Sequence, residues 1–221
     1  MSTGFLAKLA VTLRKHLGES TVSVFTLRNV YIMAYTEIIN TYGVEEGLKR
    51  IFRWGYEMGH EFLLRTKRDL ERYKVSPKST EFIGWTAWYI FAGNKPITSV
   101  REVEIDGYKV IELKVRDPNC PFCSGISAKN PVCIFNGGTY EAAGCTFTKL
   151  FDPRFSAIAR ETKCKAMGDE YCEITYLTYP KKLGFNKVVK HFGYMFKYID
   201  AEYSRQLYRE IFGEDKDKLP E

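Results

Sequence analysis

Residues 159–176 read ARETKCKAMGDEYCEITY, and the organisation of the chain can be worked outward from them. Residues 155–163 and 171–178 form a predicted strand pair turning around Met167-Gly168-Asp169, where Gly168 supplies the positive φ that a tight turn favours. Cys164 ends the first strand and Cys172 begins the second, with seven residues between them. A hairpin brings its two ends together, so both thiolates can approach one zinc ion at ~2.3 Å. The alternative is two unrelated buried cysteines, since a free cysteine packs as a small hydrophobe.

Upstream, ITSVREVEIDGYKVIELKVRD (97–117) alternates Val103, Ile105, then Val110 or Ile111, Leu113 and Val115, around Asp106-Gly107. That dipeptide is a strong hairpin signal, so a second antiparallel pair is predicted. Tyr140, Ala142, Ala143 and Phe147 mark a helix between the hairpins. Before the first hairpin the period is helical. Leu48, Ile51, Phe52, Gly55, Met58, Gly59 and Phe62 predict one amphipathic helix over about 44–73, with Glu45 and Glu46 placed to favour its N-terminal end. A shorter helix precedes it and closes at Gly43. Further helices are predicted over 1–20, over 79–93 and through most of 181–221, with GEDKDKLPE as a disordered tail. Helices, hairpin, helix, hairpin and helix in this order give an α+β fold, an antiparallel sheet of two hairpins packed with helices. The expected parts are an N-terminal helical arm (1–24), a main domain (25–178), and a C-terminal helix with a charged tail (179–221).

The chain has 221 residues, 45% hydrophobic, 27% charged and 15% aromatic, with a formal charge of +6. This excludes wholesale disorder, and the length permits a core without obligatory staples. The basic excess is spread over 33 Lys and Arg against 27 acids, which argues against a dedicated nucleic-acid surface. No window approaches the roughly eighteen apolar residues of a membrane span, and the N-terminus lacks a continuous signal-peptide core. A cytoplasmic location is expected. No GxGxxG after a strand and no GxxxxGK[ST] occurs.

A reducing compartment turns attention to the six cysteines, all of which lie between residues 120 and 172. Cys120-Pro121-Phe122-Cys123 has the commonest chelating spacing in zinc sites; its redox reading requires a βαβ context that the element order lacks. Cys133 and Cys145 complete the set. Four ligands fill a structural zinc site, so six cysteines exceed what one ion requires.

The run ETKCKAMGDEYCEI (161–174) resembles the closing motif of the 4-vinyl reductase domain family. NPVCIFNGG (130–138) and FRWGYEMGHEF (52–62) are similar to that family's PVC segment and glycine-paired helix, so the resemblance covers roughly residues 25–178. It implies a fold shared with small subunits of the TRAPP vesicle-tethering complex and with sensor domains of phenol- and xylene-responsive activators. It also implies a structural zinc on Cys133, Glu161, Cys164 and Cys172. The stretch between Cys133 and Glu161 is a few residues longer than in the sensors. In a regular strand Glu161 and Cys164 point to opposite faces, so joint ligation requires a bulge or an early turn. An all-thiolate set drawing on Cys120 or Cys123 competes, and Cys164 and Cys172 belong to both versions.

A site filled by four protein ligands leaves no position for activated water, so no catalytic residue is assigned. His16, His60 and His191 read as packed or solvated, with His60 the one to watch. Trp54, Tyr56, Trp85, Trp88 and Tyr89 read first as core or interface, and secondarily as walls of a ligand pocket. The Gly55-x-x-x-Gly59 spacing permits close approach of a second helix, either within the chain or in a homodimer, and a homodimer is expected. The leading functional expectation is a non-enzymatic, zinc-stabilised sensor or carrier of a small hydrophobic or aromatic molecule. A TRAPP-like interaction dimer is the alternative, and a vinyl-group reductase ranks last for want of a redox-cofactor motif.

Overall fold

The computed structural model describes residues 24–72, 88 and 95–219. The helices expected over 1–20 and 79–93 fall outside these residues, apart from Trp88. Helix α1 (Val24–Tyr42) ends at Gly43, whose φ is 76° and whose N–H donates to the Ile39 carbonyl at 2.9 Å. Helix α2 (Val44–Arg72) follows at once, with Glu45 and Glu46 in its first turn. Its inner stripe of Leu48, Ile51, Phe52, Tyr56, Leu63 and Leu70 is buried, while Glu45–Lys49 and Arg53–Glu57 pair along the outside at 2.9 and 2.8 Å. Amphipathic spacing therefore sets the face, and the i,i+4 pairs add only a few tenths of a kcal/mol each.

Strands β1 (Ile97–Ile105) and β2 (Tyr108–Asp117) form the first hairpin, with Ile105 opposite Tyr108. Asp106 and Gly107 have φ of 49° and 78°, the left-handed pair of a primed two-residue turn. Helix α3 (Ile134–Phe151) leads to the second hairpin, β3 (Phe155–Lys163) and β4 (Cys172–Pro180). The four antiparallel strands lie in the order β1-β2-β4-β3, giving the expected α+β class.

Period-2 alternation divides the sheet residues between two cores. Leu113, Val115, Ala157, Ala159, Ile174 and Tyr176 face the helical side with α1, α2 and α3. Val110, Ile158, Leu177 and Tyr179 face the other side. There they meet α4 (Phe185–His191), the short 3-10 segment Gly193–Phe196 and their apolar residues Val188, Phe192 and Met195. Helix α3 lies between α2 and the sheet, with little of its surface exposed, which explains its apolar character all round.

Gly55 and Gly59 sit where α2 crosses α3. A Cβ on either would overlap the backbone carbonyl of Phe135 or Thr139, and one on Gly138 would overlap that of Phe52. The paired glycines thus serve close helix packing within one chain.

Two expectations about the C-terminus are corrected. Residues 181–221 do not form one long helix: the segment breaks into α4, the 3-10 turn and α5 (Ala201–Phe212), which restarts at Asp200, whose carboxylate caps the Tyr203 N–H at 2.7 Å. The described part of the tail is anchored. Lys216 is fully buried with its Nζ 2.6 Å from Glu141, Asp217 accepts from the Phe185 N–H at 2.8 Å, and Lys181 donates to the Lys218 carbonyl. Arg160, on edge strand β3, also pairs with Glu141 and donates to Ser204 of α5 and to the Ile199 carbonyl. The C-terminal segment thereby covers the β3 edge, which would otherwise offer unpaired backbone groups.

Candidate metal centre

Three backbone segments converge at one end of the helix–sheet interface. The first is the loop after β2. Asp117 accepts from the Asn119 N–H at 2.7 Å and from the Trp88 indole at 2.9 Å, which turns the chain toward Cys120. The Cys123 N–H then donates to the Cys120 carbonyl at 3.2 Å, so the CxxC closes as a tight turn with both thiols inside. The second segment is the start of α3, where Cys133 occupies the N-cap position without a side-chain cap, leaving its thiol free to point into the cluster. The third is the β3–β4 connection. Its 3-10 turn (Lys165–Met167) ends at Gly168, with φ of 99°, and Asp169 accepts from the Cys164 N–H at 2.7 Å. A backbone bond from Ala128 to Ala166, 2.7 Å, ties the first segment to the third.

All six candidate ligands meet here. Cys120, Cys123, Cys133 and Cys172 form one set with mutually close donor atoms; Glu161, Cys164 and Cys172 form a second. Cys172 is common to both, and the quartet implied by the family resemblance is divided between them. The Sγ–Sγ separations are 3.4 Å for Cys120–Cys133, 3.3 Å for Cys123–Cys133, 3.4 Å for Cys123–Cys172, 3.6 Å for Cys123–Cys164 and 3.9 Å for Cys133–Cys172. A tetrahedral ion with metal–sulfur bonds of ~2.3 Å places its sulfurs about 3.8 Å apart, so the spacing fits mutual ligation. Cys145 stands apart, buried against the Ala157 carbonyl at 3.3 Å.

The bulge required for Glu161 and Cys164 to act together is present. The β3–β4 register shifts between Glu161 and Lys163, so Thr162 is the extra residue that returns the chain to the ligand face. Glu161 is buried, and neither carboxylate oxygen has a hydrogen-bond partner. A buried acceptor of this kind costs several kcal/mol unless a cation or proton satisfies it.

The electrostatics point the same way. Burial, followed by the charges of Cys164 and Cys172, holds the Glu161 carboxyl well above the usual carboxylate range. Hydrogen bonds from Cys123 and Cys133 bring the Cys164 thiol down to about 6. The Val132 N–H donates to Cys164 Sγ at 3.3 Å, and the Lys165 N–H to Cys172 Sγ at 3.4 Å. Amides aimed at sulfur stabilise thiolates. The cluster thus crowds acidic groups into a site nearly closed to water, where some are held as thiolates while burial and their neighbours keep Glu161 and Cys133 protonated, a condition that a bound divalent cation reverses. The donor set fits a thiophilic ion such as zinc.

Sequence reasoning missed two neighbours. Tyr31 and Tyr35, one turn apart on α1, lie beside the cluster; the Tyr31 hydroxyl donates to the Val132 carbonyl, and that of Tyr35 is buried without a partner. Burial, with Cys133 and Glu161 next, raises the Tyr31 phenol. The i,i+4 tyrosine spacing was available in the sequence, but nothing local connects it to residues a hundred positions away. The histidine singled out in the sequence contributes nothing here: His60 packs on Phe212 and shares a 2.8 Å bond with Thr146.

No protein-family model matches the chain. Over 71 residues it is 34% identical to an uncharacterised protein of Methanocaldococcus jannaschii, a stretch covering 32% of this chain and 35% of that protein, so the chain matches about a third of its relative's length. Among solved structures it is similar to trafficking protein particle complex subunit 3 from Naegleria fowleri covalently bound to palmitic acid, at a TM-score of 0.54 and 16% identity over 71% of this chain and 96% of that one. It is likewise similar to the phenol-responsive sensory domain of the transcription activator PoxR with phenol, at 0.53 and 18%, over 88% of this chain and 98% of that one. These likenesses establish the fold: an α+β domain of the kind shared by a TRAPP subunit and a phenol sensor domain.

Proposed function

We propose that the chain is a metal-stabilised small-molecule-binding domain, a sensor or carrier for a hydrophobic or aromatic ligand, with a structural zinc in the thiol–carboxylate cluster. The observation that carries this reading is the convergence of five buried thiols and the unpartnered Glu161 carboxylate on three separate segments. An ion there supplies charge compensation and ties the CxxC loop, the start of α3 and the β3–β4 turn into one wall. Cys172 belongs to every ligand set; Cys133, Glu161 and Cys164 complete the quartet implied by the family resemblance, with Cys120 and Cys123 as further thiolates.

The ligand half of the proposal is supported by two solved structures of the same fold that carry phenol and palmitic acid. Inside this chain, the Tyr56 hydroxyl is fully buried near Cys145 and Glu141 of α3 without a hydrogen-bond partner, a polar handle suited to one hydroxyl of a ligand. Thermal unfolding with phenol, palmitate and a polar control such as glucose tests it. A saturable rise in Tm with phenol or palmitate, weakened in Tyr56→Phe, is expected, because a ligand that binds only the native state stabilises it by mass action. No shift with either apolar ligand contradicts it.

A second reading, an interaction dimer, is favoured by Val30 and Met33, 57% and 72% exposed one turn apart on α1. A homodimer through that face predicts a concentration-dependent mass that Met33→Asp reduces to the monomer's.

A further inference from the structure

Six buried donors meet in the cluster, and a single tetrahedral ion uses four. If one ion sits among Cys120, Cys123, Cys133 and Cys172, it leaves Cys164 and the two bare oxygens of Glu161 beside it. If one ion sits on Cys133, Glu161, Cys164 and Cys172, it leaves the Cys120 and Cys123 thiols pressed against the ligands at 3.3–3.4 Å from Cys133. Neither placement satisfies the whole cluster.

Two tetrahedra that share an edge have six vertices. Cys123 and Cys172, 3.4 Å apart, have the position of that edge: both reach Cys133 on one side, and Cys123 reaches Cys164 on the other, at 3.6 Å. The first tetrahedron is then Cys120, Cys133, Cys123 and Cys172; the second is Cys164, Glu161, Cys123 and Cys172. We infer that the cluster is a binuclear site for two zinc-type divalent ions, bridged by the Cys123 and Cys172 thiolates.

This inference rests on the proposed metal-binding role and adds a second ion to it. Two observations support the addition independently of the thiol spacing. The buried Glu161 carboxylate belongs to the set that an ion on the four-thiol group does not use, and its two oxygens have no other partner. The charge balance agrees: one divalent ion leaves the unused thiol and carboxyl to keep their protons in a buried site, whereas two ions supply four positive charges against which all six donors can ionise. Each ion that enters displaces thiol protons to solvent, so uptake of the pair is accompanied by proton release. The two groups of close donors, Cys120, Cys123, Cys133 and Cys172 on one side and Glu161, Cys164 and Cys172 on the other, are then the two halves of one site, with Cys123 completing the second.

The test is titration of metal-free protein with Co(II), followed by thiolate-to-cobalt absorbance and electron paramagnetic resonance. Uptake is expected to saturate at two equivalents per chain. The high-spin signal should grow through the first and diminish as the second arrives, because bridging thiolates couple the two ions. Cys120→Ser and Cys164→Ser remove a terminal ligand from opposite halves, so each should take up one ion and keep an uncoupled signal, with folding checked by circular dichroism. Saturation at one equivalent overturns the binuclear site while leaving the metal-binding role intact. Two equivalents whose signals simply add overturn the bridge. No uptake overturns both the inference and the metal-binding role on which it rests.

Discussion

Glu161 and Glu141 are both fully enclosed carboxylates, yet their surroundings differ. Glu141 receives Lys216 at 2.6 Å, the Arg160 guanidinium, and the Ala159 N–H at 3.1 Å. Burial raises its pKa, but Lys216 and then Arg160 outweigh burial and leave it below its ordinary value. A carboxyl depressed in the folded state contributes stability above its unfolded value of about 4.5, and that contribution is lost as pH falls through the lower folded value. Glu141→Ala leaves two buried cations unpaired and should cost about 3–5 kcal/mol at neutral pH by chemical denaturation, with the deficit shrinking below about pH 4.5 as the parent loses the same interaction. Glu161 receives no such donors, and its environment pushes the other way. Among the cysteines, Cys172→Ser removes the ligand common to both sets and should abolish metal binding and lower Tm, whereas Cys145→Ser, outside the cluster, should leave metal content unchanged. Equal metal content in both variants contradicts the assignment.

At the scale of elements, local chemistry was legible wherever it determined the structure. Asp106-Gly107 marked the β1–β2 turn, Gly43 marked the junction of α1 and α2, and the quoted motif marked both the β3–β4 hairpin and its need for a bulge. The C-terminus was misread for a physical reason. Phe192, Met195 and Ile199 keep near-helical spacing through a 3-10 turn, so apolar periodicity registers no break where the backbone has one. Anchoring of the tail depends on Lys216 meeting Glu141, a contact between residues 75 positions apart that no local pattern encodes. The Gly55 and Gly59 pair was legible as a close-approach signal but not as to its partner, because helix–helix and chain–chain packing demand the same small residue. With α3 as the partner, Gly59→Ala drives a methyl group into the Thr139 carbonyl and should cost about 1–3 kcal/mol, measured by urea unfolding, without altering the molecular mass in solution. A neutral effect on stability contradicts this packing.

Over the whole molecule, the sheet is enclosed by α1, α2 and α3 on one face and by α4 and the 3-10 segment on the other, with α5 returning to the helical side, and the thiol–carboxylate cluster pins the end where β2, α3 and the second hairpin meet. Helical periodicity and hairpin signals were sufficient for the fold class. The composition of the cluster was legible as a concentration of cysteines, whereas its geometry required the long-range convergence of segments around residues 120–123, 133 and 161–172. Among the described residues, no helix is long and apolar enough to cross a membrane. Because the cluster joins three segments at one end of the core, metal and global stability should be coupled: a chelator that strips the ion lowers Tm, and the loss steepens as acid protonates the thiolates. The central claim is tested most directly by elemental analysis of protein purified without added metal. Zinc bound stoichiometrically to the chain, and lost in Cys172→Ser, is the predicted result; metal-free, fully folded protein whose Tm is indifferent to chelator would contradict it.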